Sequence, residues 1–232
     1  MQQKEPIILY EDTSLLVCVK PAGIASQGAS GFQMDMTDLL KLFLKKRTEI
    51  EGEPYLGIVH RLDQPVGGIM VYAKEAESAA DLSAQASSDK MKKRYYAVLE
   101  HKPDLDEGSY RNYLFRDGRT NMSYVVEQSR KREREVKRAE LTYHILHKIT
   151  YEERSLWLAE IALKTGRHHQ IRVQFSHAGC PLYGDRKYNP STEGRELALF
   201  SHYLEFTHPK TKKVMQFDQK PTDGVFSMFF DK

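Results

Sequence analysis

His60-Arg61-Leu62-Asp63 sets a carboxylate two residues from a guanidinium, shortly before Gly67-Gly68 and the apolar run Ile69-Met70-Val71-Tyr72-Ala73. An acid, a cation and a glycine turn at the mouth of a buried strand are the parts of a reaction site. Positive charge keeps a carboxylate ionised, and glycine lets a ligand approach the backbone. Alone, Asp63 reads first as a cap or turn former, the commonest uses of a lone Asp. Arg61 strengthens the chemical reading, because residues two apart in an extended segment face the same side.

Two further stretches carry candidates. Lys164-Thr165-Gly166-Arg167-His168-His169-Gln170-Ile171-Arg172 gathers arginines, a glycine and a glutamine where a strand ends. Its plain reading is a solvated turn; its functional reading is one Arg on a buried carboxylate and another on an anion or RNA backbone. Lys93-Arg94-Tyr95-Tyr96-Ala97-Val98-Leu99 puts consecutive tyrosines on a strand, so they point to opposite faces. One belongs to the core, and the other could stack on a planar ligand from a basic rim.

The elements that must position these residues are legible from periodicity and turn chemistry. Residues 7–10 and 15–19 read as strands joined by Glu11-Asp12-Thr13-Ser14, and Lys20-Pro21-Ala22-Gly23 stops the second. Asp38 is a cap for a helix through Lys46, with Leu39, Leu42 and Phe43 on one face. Residues 75–85 read as an Ala-rich helix and 94–99 as a strand. Residues 101–138 are polar and read as a loop-and-hairpin excursion. An antiparallel pair follows at 141–147 and 155–163, turning at Tyr151-Glu152-Glu153. Residues 168–178 fit both a strand and a helix; 199–206 and 214–217 are the last strands. No repeat or linker is visible, so the expectation is one continuous mixed α/β domain over residues 1–232, rich in antiparallel pairing.

Composition sets the outer bounds. The 232 residues are 40% hydrophobic and 29% charged, ordinary for a soluble globular chain. A net charge of +3 announces no nucleic-acid binder. The distribution says more: Lys90, Lys92, Lys93 and Arg94 cluster, and residues 130–138 hold six basic residues against two Glu. A solvated charged face is an equal reading of the second cluster, since Glu133 and Glu135 alternate with its cations. Cys18 and Cys180 are too few for a disulfide framework and sit among apolar or small residues, as reduced buried thiols do. With no apolar run long enough to span a bilayer and no leader pattern, the expectation is a cytoplasmic protein with no membrane partner.

The three stretches, in this order, resemble the signature motifs of the RluA-type pseudouridine synthases. Ile8-Leu9-Tyr10-Glu11-Asp12 through Val19-Lys20-Pro21-Ala22-Gly23 resembles that family's first segment. Pro181-Leu182-Tyr183-Gly184-Asp185, Leu199-Phe200-Ser201-His202 and Thr207-His208-Pro209 resemble its last ones. The resemblance spans residues 7 to 217. It implies an α+β fold with a bent, mainly antiparallel sheet flanked by helices around a central RNA-binding cleft. It implies Asp63 as catalytic aspartate, Arg172 as its ion-pair partner, Tyr95 stacked on the target base, and Arg61 holding the flipped nucleotide's place, with Arg167 in support. It favours a helix starting near His169. It implies an RNA substrate, ribosomal or transfer, and a monomer. The catalytic motif lies close to the start of the chain, so no separate N-terminal RNA-binding module is expected, and no step of the chemistry calls for a metal or other cofactor. The chain departs from the pattern at Val66-Gly67, where Thr-Ser is frequent, and at His168, where Thr is common; both bear on substrate preference.

Pseudouridine formation breaks the C1′–N1 bond, turns the uracil and rejoins it through C5. Hydrolysing a glycosidic bond takes two carboxylates; here uracil departs as a stabilised anion and stays, so one can suffice. Backbone contacts from Lys92, Lys93 and the Arg130 cluster would offset the cost of extruding the base. Three other readings compete: a catalytically silent RNA-binding protein, a metal hydrolase on His144, His147, His168, His169 and His177, and a P-loop protein. The second lacks a carboxylate or Cys to complete a ligand set, and the third lacks Gly-x-x-x-x-Gly-Lys-Ser/Thr.

Overall fold

β2 (Leu15–Lys20) and β4 (Gly67–Ala73) have no exposed residue in the computed structural model, which describes residues 7–28, 33–47, 52–88, 90–127, 135–192 and 194–230. Their unbroken apolar runs suit strands covered on both faces. The two strands pair antiparallel, with Leu16 opposite Tyr72 and Lys20 opposite Gly68. They belong to the first of two units, Met1–Lys93 with Ser201–Gln219. Around them β1 (Ile7–Glu11) pairs with β2, β3 (Gly57–Ile58) with β4, and β11 (Val214–Asp218) with β10 (Leu199–Thr207). The order is β1-β2-β4-β10.

Gly68 shows why glycine is needed at the head of β4. Its φ is +129°, and a Cβ there would lie 2.4–2.6 Å from backbone and side-chain atoms of Ser201 on β10. No side chain fits that approach. The apolar core of this unit joins Leu15, Val17, Ile69, Val71, Leu82, Leu204 and Phe206. Helix α1 (Met36–Arg47) begins two residues before the expected cap. The cap is Asp35, whose carboxylate accepts from the Asp38 N–H (3.0 Å) while Asp38 accepts from the Asp35 N–H (3.2 Å), a reciprocal capping box. Its buried residues are Met36, Leu39, Leu40 and Leu44; Leu42, expected on that face, is 43% exposed. Helix α2 (Ala76–Ser87) is tied to the end of β10 through Gln85, whose amide exchanges hydrogen bonds of 2.7 and 2.8 Å with the Thr207 carbonyl and N–H.

The second unit comprises Arg94–Phe200 and Lys220–Lys232. β5 (Lys92–Leu99, in this unit from Arg94), β6 (Glu107–Asp117), β7 (Met122–Val126), β8 (Val136–Tyr151) and β9 (Arg154–Leu163) lie in the order β5-β9-β8-β6-β7. Glu152 and Glu153, both at positive φ (47° and 63°), form the two-residue hairpin turn between β8 and β9. Residues 101–138 hold a long hairpin whose β6 pairs with β8 along nine residue pairs; the basic residues 130–134 lie outside the described residues. The ambiguous stretch is helix α3 (Gln170–His177), led by His169 in the left-handed region. The short α4 (Ser227–Phe230) closes the chain, and Phe226 and Phe229 pack with Tyr96, Val98 and Leu158. Both units combine antiparallel sheet with helices, the expected α+β class. Among the described residues no helix is long and apolar enough to cross a membrane.

Candidate functional site

Asp63 sits on an irregular loop before β4, and four side chains hold that loop. Ser26 donates from Oγ to the Leu62 carbonyl (2.7 Å) and accepts from the Leu62 N–H (3.1 Å). Gln64 exchanges hydrogen bonds with Gly23 through the Gly23 N–H (2.9 Å) and its own Nε2 (3.1 Å). The Val66 N–H closes a turn on the Asp63 carbonyl at 3.0 Å. The loop therefore closes without a hydroxyl at 66 or 67. His60 accepts from the Val71 N–H through Nε2 at 3.1 Å, tying the loop's start to β4. Burial, and after it the Lys93 ammonium, push His60 down to about 3. A neutral ring is what an Nε2 acceptor requires.

Lys20, the last residue of β2, is fully buried. Its ammonium donates to the carbonyls of Pro21 (3.0 Å), Ile24 (2.7 Å) and Gln64 (3.2 Å). Burying an ammonium costs several kcal/mol, and each charged hydrogen bond returns about 1.5–3 kcal/mol. The balance is close. Burial pulls Lys20 down to about 7, while the charge of Asp63 opposes that shift. One cation thus binds both loops and lies within electrostatic reach of the Asp63 carboxylate.

Arg61, from the same motif, is exposed. Lys92, expected to meet RNA, is tied to Glu205 at 2.5 Å. That bond, with those from Tyr203 and Gln216, holds the Glu205 carboxyl at about 2. Lys93 is half-buried and its ammonium is shifted down by burial.

Tyr95, Arg167 and Arg172 belong to the second unit. Tyr95 and Tyr96 are 7% and 9% exposed; Tyr96 is the core tyrosine, its ring 5.1 Å from that of Phe230. Arg172 lies on α3 and makes a two-pronged pair with Asp185, Nε to Oδ2 at 2.8 Å and Nη2 to Oδ1 at 2.7 Å. Both side chains are almost fully buried, and Asp185 also accepts from the Lys187 and Tyr188 N–H groups. A fork-on-carboxylate bond of this kind fixes a guanidinium's plane. The Tyr188 ring lies 5.3 Å from the guanidinium, and its hydroxyl shares a 2.9 Å hydrogen bond with His169 Nδ1. Burial and then the Arg172 charge push His169 down to about 3.

Arg167 is exposed, on the turn that leads into α3, and its Nε donates to the Arg138 carbonyl at 3.0 Å. Glu140 on β8 anchors that turn. Its carbonyl accepts from the Lys164 and Thr165 N–H groups and from Gln170 Nε2, and its N–H donates to Thr165 Oγ1. Its carboxylate takes Arg111 (3.1 Å), Arg138 (2.9 Å) and Lys164 (3.1 Å), and that company, Lys164 foremost, holds its carboxyl below the usual range.

The sequence reading missed Lys20, Asp185 and Glu140 as organisers. Lys20 left a signal: a lone cation ending a strand of apolar residues must find acceptors. Asp185 showed only as the end of the Pro181–Asp185 segment, because its charged partner Arg172 lies 13 residues away. Glu140 has Arg138 beside it in sequence, but Arg111 and Lys164 lie 29 and 24 residues away.

Several known proteins are similar to this chain. The family model described as RNA pseudouridylate synthase matches residues 14–177. An uncharacterized RNA pseudouridine synthase, YlyB, of Bacillus subtilis (strain 168) is 31% identical over 214 residues, covering 91% of this chain and 67% of the relative. Ribosomal large subunit pseudouridine synthase C of Escherichia coli O157:H7 is 30% identical over 229 residues, covering 94% of this chain and 67% of that protein. Among solved structures, human RNA pseudouridylate synthase domain containing 4 aligns with a TM-score of 0.77 at 25% identity, over 96% of this chain and 92% of that one.

Proposed function

The chain belongs to the RNA pseudouridylate synthase family, enzymes that isomerise uridine in RNA, and we propose that Asp63 is the aspartate that carries the reaction here. The observation that carries this reading is the immobilised loop: Ser26, Gln64, His60 and the buried Lys20 fix the backbone on both sides of Asp63. A reacting group gains most from being held in one geometry before substrate arrives. Attack at C1′ and proton abstraction at C2′ both begin from an ionised carboxylate, and the charge of Asp63 opposes the shift that burial imposes on the Lys20 ammonium. The reaction is an isomerisation: the C1′–N1 bond breaks, a C1′–C5 bond forms, the C5 proton leaves and N1 gains one.

Tyr95, Arg61, Arg167 and Arg172 keep the roles the resemblance gives them. Stacking on an aromatic ring is worth roughly 1–3 kcal/mol per base, against the few kcal/mol needed to unstack a uridine. The Asp185 fork supports a positioned rather than a solvated Arg172. Ribosomal large-subunit RNA is the substrate we favour over transfer RNA, because relatives at 30–31% identity are named for it. The test is tritium release from ribosomal RNA labelled at uridine C5. Release by the wild-type protein and its loss in Asp63→Ala support the assignment. Equal release by both proteins would refute it, and no release from any cellular RNA would favour a silent RNA binder.

A further inference from the structure

We infer that the exposed cations gathered around Glu140 form a contact surface for the phosphate backbone of the RNA substrate. The inference rests on the reading that this chain acts on RNA, and adds where the strand is gripped beyond the reacting nucleotide. Arg111, Arg138 and Lys164 converge on one carboxylate. Three positive charges against one negative leave an excess of two. The Glu140 side chain is only 11% exposed, whereas those of Arg111, Arg138 and Lys164 are 63%, 64% and 53% exposed. The acid is therefore sheltered, and the cations offer most of their surface to solvent.

The strands explain why the cluster stands on one face. Along β8, Ala139 packs with Leu114 and Val173, and Tyr143 packs on Phe175, so these odd positions turn to the core under α3. Strand alternation sends Arg138 and Glu140 to the other face. Arg111 of β6 is the cross-strand partner of Glu140, which puts its guanidinium on that face too. Lys164 reaches it from the turn after β9, and Arg167 continues the patch through its bond to the Arg138 carbonyl. The same residue, Glu140, holds the turn by its backbone and the cations by its side chain.

An ion-pair cluster built for stability would match its charges; exposed pairs add only about 0–1 kcal/mol each. An array with excess positive charge, gathered by a shared carboxylate that offsets the repulsion among its members, suits a chain of phosphates. Arginine's flat fork suits phosphate oxygens in particular.

The test uses the full chain with poly(U) as binding probe and labelled ribosomal RNA for activity. Arg111→Gln combined with Lys164→Gln removes two contacts from exposed side chains. Its slope of log affinity against log salt should fall by about 1.4, at about 0.7 per lost contact to a single strand. KM on ribosomal RNA should rise while kcat stays within about twofold, the mark of lost uniform binding. Lys213→Gln, an exposed cation far from the cluster in sequence, serves as the control and should leave the slope within about half a contact of wild type. A double variant with the wild-type slope would overturn the proposal, as would a slope change matched by Lys213→Gln. Failure of the wild type to release tritium would count against the proposed catalysis, whereas the poly(U) slopes answer the backbone question independently.

Discussion

Lys20 and Glu140 solve opposite electrostatic problems. Lys20 is a fully buried cation held by three carbonyls, and Glu140 is a sheltered carboxylate ringed by three exposed cations. Each ties together segments distant in sequence: Lys20 joins the 20–24 turn to the Asp63 loop, and Glu140 joins β6 and β8 to the turn before α3. The difference lies in what can disturb them. A buried charge is screened little by salt but titrates readily, because burial has already shifted its proton affinity. An exposed array is the reverse. The first region should respond to pH and the second to ionic strength.

Loss of the proposed reacting group should give the largest effect. Asp63→Asn keeps the shape of the loop and removes the charge, and it should lower kcat by more than about a thousandfold with the melting temperature little changed. Retained activity would leave Lys20 guarding a loop without a catalyst, and the comparison would lose its first half.

Next comes Lys20→Met. It removes the only side-chain donor described for the Pro21 and Ile24 carbonyls and frees the loop that carries Asp63. Misplacement of about 1 Å costs up to about a hundredfold in rate, so kcat should fall by roughly tenfold to a hundredfold. The pH dependence follows from the shift. Lys20 titrates near 7 in the folded chain against 10.5 ordinarily, so between those values the unfolded chain holds a proton that the folded chain has released. Wild-type stability should therefore gain on that of Lys20→Met as pH rises from 7 to 10.5. Denaturant titrations at several pH values measure this, and parallel curves would contradict it. The benefit to the fold and the benefit to position oppose each other: the ammonium that steadies the Asp63 loop is the form the interior tolerates least.

The sequence was informative where patterns are local. β2, β4, α2, β9 and the Glu152-Glu153 turn all follow from apolar runs, helical periodicity and turn chemistry. The cap of α1 fell on Asp35 rather than Asp38 because this capping box has an acid at both ends, and the residues between them do not say which one starts the helix. Leu42 looked like core by spacing, yet burial depends on which stripe the rest of the unit covers. Asp63 stood out as a candidate by its motif. The way it is held did not: Lys20 signalled a need for acceptors, but which three carbonyls it meets is set by backbone geometry that residue identity does not reveal. Asp185 escaped for a related reason: its bond to Arg172 depends on how the loop after α3 returns to the helix.

His60 sharpens the buried side of the comparison with a smaller effect. Its Nε2 is the acceptor described for the Val71 N–H, so His60→Leu should lower stability by about 1–3 kcal/mol through an unsatisfied buried donor. His60→Gln, which can accept, should lose less. The ring titrates near 3 when folded against 6.5 ordinarily, so its contribution is present above 6.5 and is lost as pH falls toward 3. Acid unfolding of His60→Gln should be correspondingly less steep across that window. An unchanged acid limb would mean that His60 is not the neutral acceptor its geometry requires.

Glu140→Gln should have the smallest effect, and its sign separates the two halves of the comparison. The glutamine keeps the backbone bonds to Thr165 and Gln170 while deleting the one negative charge among Arg111, Arg138 and Lys164. If those cations only stabilise the turn, the variant loses binding and activity together as the turn loosens. If they grip phosphates, the neutralising charge is gone and affinity for poly(U) at low salt should rise by about twofold to fivefold. That gain should fade as salt approaches physiological strength, where charges farther apart than about 8 Å are largely screened. Filter binding at two salt concentrations distinguishes the cases. A gain that persists at high salt would point to rearranged contacts rather than charge. A gain that disappears would show that the chain uses salt-sensitive charge at Glu140 for the same economy of means, one residue bridging distant segments, that it uses at Lys20 without salt sensitivity.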